Sequence, residues 1–141
     1  MNANSQPISP QEALIYAMVS VSAADRKMTD RELRKIGDVV KTLPAFADFN
    51  LDNLVKVAEA CSIVLQRDDG LDAVLGLIAA LPARLHDTAY AVAVEVAAAD
   101  LYVEQEELRF LRLLRDRLDL DPLVSAAIER AARARYRSLG Q

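Results

Sequence analysis

Two stretches decide how this chain reads: VSVSAADRKMTDRELRKI at residues 19–36 and VEVAAADLYVEQEELRFL at residues 94–111. Offset by 75 residues, they share Val19/Val94, Val21/Val96, Ala23/Ala98, Ala24/Ala99, Asp25/Asp100, Glu32/Glu107, Leu33/Leu108 and Arg34/Arg109. Leu43 over Leu118 extends the match, and Met28/Val103 and Ile36/Leu111 agree in character. Each copy is a run of small residues ending in Asp, then a short turn, then a helix opening with Glu. A repeated helix–turn–helix predicts an all-α fold, a single compact domain with two pseudo-symmetric halves.

Working outward, caps and apolar spacing predict about seven helices. Ser9-Pro10-Gln11-Glu12 reads as a capping box with Pro in the first turn, and Leu14, Met18 and Val21 carry that helix to about Asp25. Thr29-Asp30-Arg31-Glu32 is a second box, backed by Leu33, Ile36, Val40 and Leu43 and stopped by Pro44. Asn50 caps a third helix, with Leu51, Leu54, Val55, Ala58, Ser62 and Leu65 on one face. The turn Asp68-Asp69-Gly70 leads to a short helix from Leu71 to Leu81, ended by Pro82. Leu85, Ala89, Val92, Val96 and Ala99 define the fifth helix, and Leu108, Leu111, Leu114 and Leu118 the sixth. Asp121-Pro122 opens the seventh, which carries Val124, Ile128 and Ala131. Residues 1–9 read as a polar tail and residues 10–138 as the domain.

Composition narrows the function classes. The chain has 141 residues, 52% hydrophobic and 27% charged, which suits one domain with a sizeable core rather than disorder. Seventeen Lys and Arg against 21 Asp and Glu give a net charge of −4, a poor match for the phosphate backbone, so no nucleic acid is expected. One Cys and one His exclude an internal disulfide, a cysteine zinc cluster and a HExxH site. No secretory signal and no membrane span is legible, and a cytoplasmic protein is expected.

The repeated residues carry a resemblance. Ala-Ala-Asp, an apolar residue three positions on and Glu seven after the Asp occur twice, as Ala23-Ala24-Asp25…Met28…Glu32-Leu33 and Ala98-Ala99-Asp100…Val103…Glu107-Leu108. This pattern resembles the tellurite-resistance TerB family over roughly residues 10–133. The resemblance implies a compact helical fold and a link to tellurite resistance and chemical stress. It also implies divalent-metal binding through the acidic motif and a place in larger complexes. Where the family usually has Gly after the Asp, this chain has Arg26 and Leu101.

Asp25, Glu32, Asp100 and Glu107 are the candidate metal ligands, because Ca²⁺, Mg²⁺ and Mn²⁺ take carboxylate oxygens converging from a turn. The competing reading makes Glu32 the third residue of the Thr29 capping box, facing the positive end of a helix, with the two Asp closing turns. Glu95 reads as pointing to solvent, His86 as a surface residue and Cys61 as a buried structural thiol without a partner Cys. Arg130, Arg133, Arg135 and Arg137, with Tyr136 among them, read as a solvated basic helix end. The expected function is a non-enzymatic TerB-like protein, responsive to divalent cations. The alternative is a metal-independent adaptor whose helical surface docks a partner protein. A tellurite-modifying enzyme ranks last, for want of a nucleophile pair or a cofactor motif.

Overall fold

The computed structural model describes residues 8–23, 28–99 and 105–140. Among them are seven α-helices: α1 (Pro10–Ser22), α2 (Asp30–Thr42), α3 (Leu54–Leu65), α4 (Gly70–Ala79), α5 (His86–Ala98), α6 (Gln105–Leu118) and α7 (Pro122–Arg135). Three short 3₁₀ turns, Pro44–Phe46, Leu51–Asn53 and Ala83–Leu85, join them, and the described residues contain no strand. The expected polar tail falls mostly outside the described residues.

The helix starts follow from local chemistry. Glu12 N–H donates to Ser9 Oγ at 3.1 Å, and Ser9 N–H donates to Glu12 Oε1 at 2.8 Å. Thr29 and Glu32 repeat the pair at α2, with Glu32 N–H to Thr29 Oγ1 at 3.2 Å and Thr29 N–H to Glu32 Oε1 at 2.8 Å. Each box satisfies two of the amide donors that a helix start leaves without a partner. Helix α1 ends at Ser22, short of the expected Asp25. Asn50 caps the 3₁₀ turn Leu51–Asn53, so α3 proper begins at Leu54.

Helices α1 and α5, the leading helices of the two repeat copies, pack on each other at the centre. Every residue of α1 from Ala13 to Ser22 is buried. A helix apolar on all sides belongs inside a domain. Ala13, Ala17, Ala89 and Ala93 are all at most 2% exposed, and such small side chains let helix axes come close. Helices α3 and α4 close over α1, and α6 and α7 over α5. Large side chains such as Leu14, Ile36, Ile78 and Leu114 are sealed in this core, each worth about 1.5–3 kcal/mol relative to exposure.

Two helices bury a face that only partly overlaps the one their spacing suggested, with Leu54 and Ala58 inside and Leu65 and Ile128 packed against the core. On α3 the buried set is Leu54, Val57, Ala58 and Cys61, while Val55 and the preceding Leu51 are exposed. On α7 it is Ser125 and Ala132, while Val124 and Ala131 are exposed. Apolar residues cover more than one stripe of each helix, and contact with the neighbours selects among them.

Candidate functional site

Asp25 and Asp100 lie outside the described residues. Glu32 and Glu107 are described, and both sit in the first turn of their helices, α2 and α6. Both are withdrawn from solvent, at 7% and 4% exposed. Glu12, which has the same capping role on α1, is only half-buried. A buried carboxylate is costly unless it is bonded or paired with positive charge. Oε1 of Glu32 accepts from the backbone N–H of Thr29 and from its hydroxyl at 3.1 Å. The helix start adds a favourable positive field. Among the described residues no three His, Cys, Asp or Glu side chains gather as a metal site.

Three other residues have defined surroundings. His86 is not a free surface residue: it is half-buried, and its Nε2 lies 3.1 Å from the Ala79 carbonyl and 2.8 Å from that of Leu81. It thus fastens the end of α4 to the start of α5. Cys61 is fully buried, with Sγ 3.6 Å from Ser20 Oγ. Burial pushes its thiol up to about 12, only partly offset by the Ser20 contact. Glu95 does not point freely to solvent. It accepts from Arg135 and from the Tyr136 hydroxyl, which fixes the end of α7 on α5. That bond to Glu95, then burial, pushes the Tyr136 hydroxyl up to about 12.

The basic end of α7 is therefore divided. Arg135 and Tyr136 serve Glu95, whereas Arg133 and Arg137 border a trough of about 580 Å³ between α5, α6 and α7. Both α6 and α7 rest on α5 and make little contact with each other. The floor is apolar, formed by Val94, Ala97, Leu111 and Ala132. One end is closed where the Tyr90 hydroxyl donates to Glu129 Oε2 at 2.6 Å and Arg115 Nη1 approaches the same oxygen at 3.5 Å. Burial, then the Glu129 carboxylate, holds the Tyr90 hydroxyl above its ordinary value. The other end is flanked by Ala98, Leu108 and Arg137. Arg112, Arg133 and Arg137 make no ion pair among the described residues.

Sequence reasoning had the α7 arginines but not Tyr90, Arg112 and Arg115. The spacing Leu108, Leu111, Arg112, Arg115 was a signal for one wall. That three helices bring their walls together was not readable from any one of them.

The model of the family described as tellurite resistance protein TerB matches residues 11–130. No curated protein and no solved structure gives a significant match. That match spans α1 to α6 and most of α7, including both repeat copies and the trough walls as far as Arg130. The chain belongs to the TerB family of tellurite resistance proteins.

Proposed function

We propose that this TerB-family protein is not an enzyme and serves resistance to tellurite or related chemical stress by binding a divalent cation. The ion is Ca²⁺, Mg²⁺ or Mn²⁺, and the ligands are Asp25, Glu32, Asp100 and Glu107. The observation that supports this reading is the burial of Glu32 and Glu107 at the starts of two repeat-related helices. A cap alone leaves Glu12 half-exposed. Hard cations take carboxylate oxygens converging from turns at helix starts.

Thermal melting with each ion at millimolar concentration tests it. A cation bound only by the folded state adds about 2.7 kcal/mol at a hundredfold excess over Kd. The parent should melt higher with one of these ions. The variant Asp25→Asn, Glu32→Gln, Asp100→Asn, Glu107→Gln should fold and show a reduced shift, because the amides keep the caps and turns but lose the charge. A parent that shifts with none of the three ions defeats the cation reading.

A second reading, a metal-independent adaptor that docks a partner protein, is favoured by the trough and its three arginines, which have no ion partner among the described residues.

A further inference from the structure

We infer that the α5–α6–α7 trough docks an acidic amphipathic helix of a partner protein. The proposal rests on the adaptor reading and names the partner's chemistry. The three walls are helical, and lining residues recur at helical spacing on each: Tyr90, Val94 and Ala97 on α5, and Glu129, Ala132 and Arg133 on α7. From Tyr90 to Ala98 the floor runs about 12 Å, which is a little over two helical turns. A fourth helix laid there would complete a four-helix packing, with apolar residues at i, i+3, i+4 and i+7 against Val94, Ala97 and Leu111.

Charge selects the partner. The protein as a whole carries −4, yet the rim of this trough presents Arg112, Arg133 and Arg137, none with an ion partner among the described residues. Glu129, the acidic residue of the lining, is already engaged by Tyr90 and Arg115. Asp and Glu flanking the apolar stripe of a docked helix would meet those guanidiniums, which suit carboxylates through their paired donors. The cations stand on the exposed rim and the floor is apolar, so a chain with charge along its flanks fits better than a single buried anionic headgroup. The negative net charge also opposes an anionic membrane.

The probe is a labelled synthetic helix with Leu at i, i+3, i+4 and i+7 and Glu at the flanking positions. Its counterpart has Lys for every Glu. Fluorescence anisotropy with the full chain should show binding of the Glu peptide, weakening as salt rises, and little binding of the Lys peptide. The triple variant Arg112→Glu, Arg133→Glu, Arg137→Glu changes exposed residues, so circular dichroism should confirm its fold. It should weaken the Glu peptide about tenfold or more and gain affinity for the Lys peptide. Leu108→Asp, at another exposed position, should weaken the Glu peptide as well. No binding of the Glu peptide to the parent overturns the proposal, as does an unchanged affinity in the triple variant. Equal binding of both peptides, lost in Leu108→Asp, keeps the docking reading and rejects the acidic partner. Binding of phosphatidylglycerol vesicles in place of the peptide reassigns the trough to lipid. Self-association of the parent that the triple variant abolishes reassigns it to a second copy.

Discussion

Arg135, in the last turn of α7, donates to the carboxylate of Glu95 on α5, 40 residues earlier in the chain. Tyr136 donates to the other oxygen of the same carboxylate. The acidic side chain is 25% exposed and the arginine 54%, so the carboxylate has more to lose than the guanidinium. Glu95→Ala should destabilise the fold by about 1–2 kcal/mol, since both partners lose a charge-assisted acceptor and solvent screens part of the loss. Arg135→Ala should cost less, because Tyr136 still satisfies Glu95. Urea unfolding of both variants checks the order. Hydrogen exchange should show faster opening at the end of α7 in Glu95→Ala.

Cys61 should be chemically silent in the native protein. Its thiol is buried and held up to about 12, against 9.0 for a free thiol. A thiol reagent at neutral pH should label it only after denaturant is added. The same shift links stability to pH. The folded value lies above the unfolded one, so the contribution is intact below pH 9.0 and is lost as pH climbs toward about 12. Urea midpoints in that range should fall less steeply in Cys61→Ala than in the parent. A resistance assay with Cys61→Ala should match the parent if thiol chemistry is no part of the function.

Gly70 and Gly76 should respond to alanine in opposite directions. A Cβ at Gly70 would lie 2.4 Å from the Leu65 carbonyl oxygen, which is backbone and cannot turn aside. Gly70→Ala should therefore cost about 1–3 kcal/mol through overpacking where α3 hands over to α4. A Cβ at Gly76 would meet only the Arg117 guanidinium at 3.5 Å, an ordinary contact. Within a helix, Gly76→Ala should stabilise by roughly 0.5–1 kcal/mol. Thermal melts of the two variants should move apart from the parent.

The cap on α2 should be separable from any charge effect. Thr29 Oγ1 accepts from Glu32 N–H and the Glu32 carboxylate accepts from Thr29 N–H. Thr29→Ala should cost about 1 kcal/mol by removing half of the box. Glu32→Gln, which can still reach back, should cost less in metal-free buffer. A large loss in Glu32→Gln without cation would assign the carboxylate charge to the fold itself.

The helix inventory was legible because its signals are local. Ser9, Thr29 and Asp121 cap through hydrogen bonds two or three residues away, and Pro44 and Pro82 stop helices through their own rings. The repeated acidic motif likewise pointed to the TerB family. The buried faces of α3 and α7 were legible only in part, because Leu51, Val55, Val124 and Ala131 are at least as apolar as residues that went inside. Spacing alone could not rank those stripes. Nor could it show that Glu95 meets Arg135, that His86 fastens the end of α4, or that Tyr90, Leu111 and Arg133 line one trough. The Glu95–Arg135 pair and the trough join helices remote in sequence, and the His86 bonds depend on how the chain turns between α4 and α5. They arise because α1 and α5 pack at the centre and thereby set where every outer helix can lie.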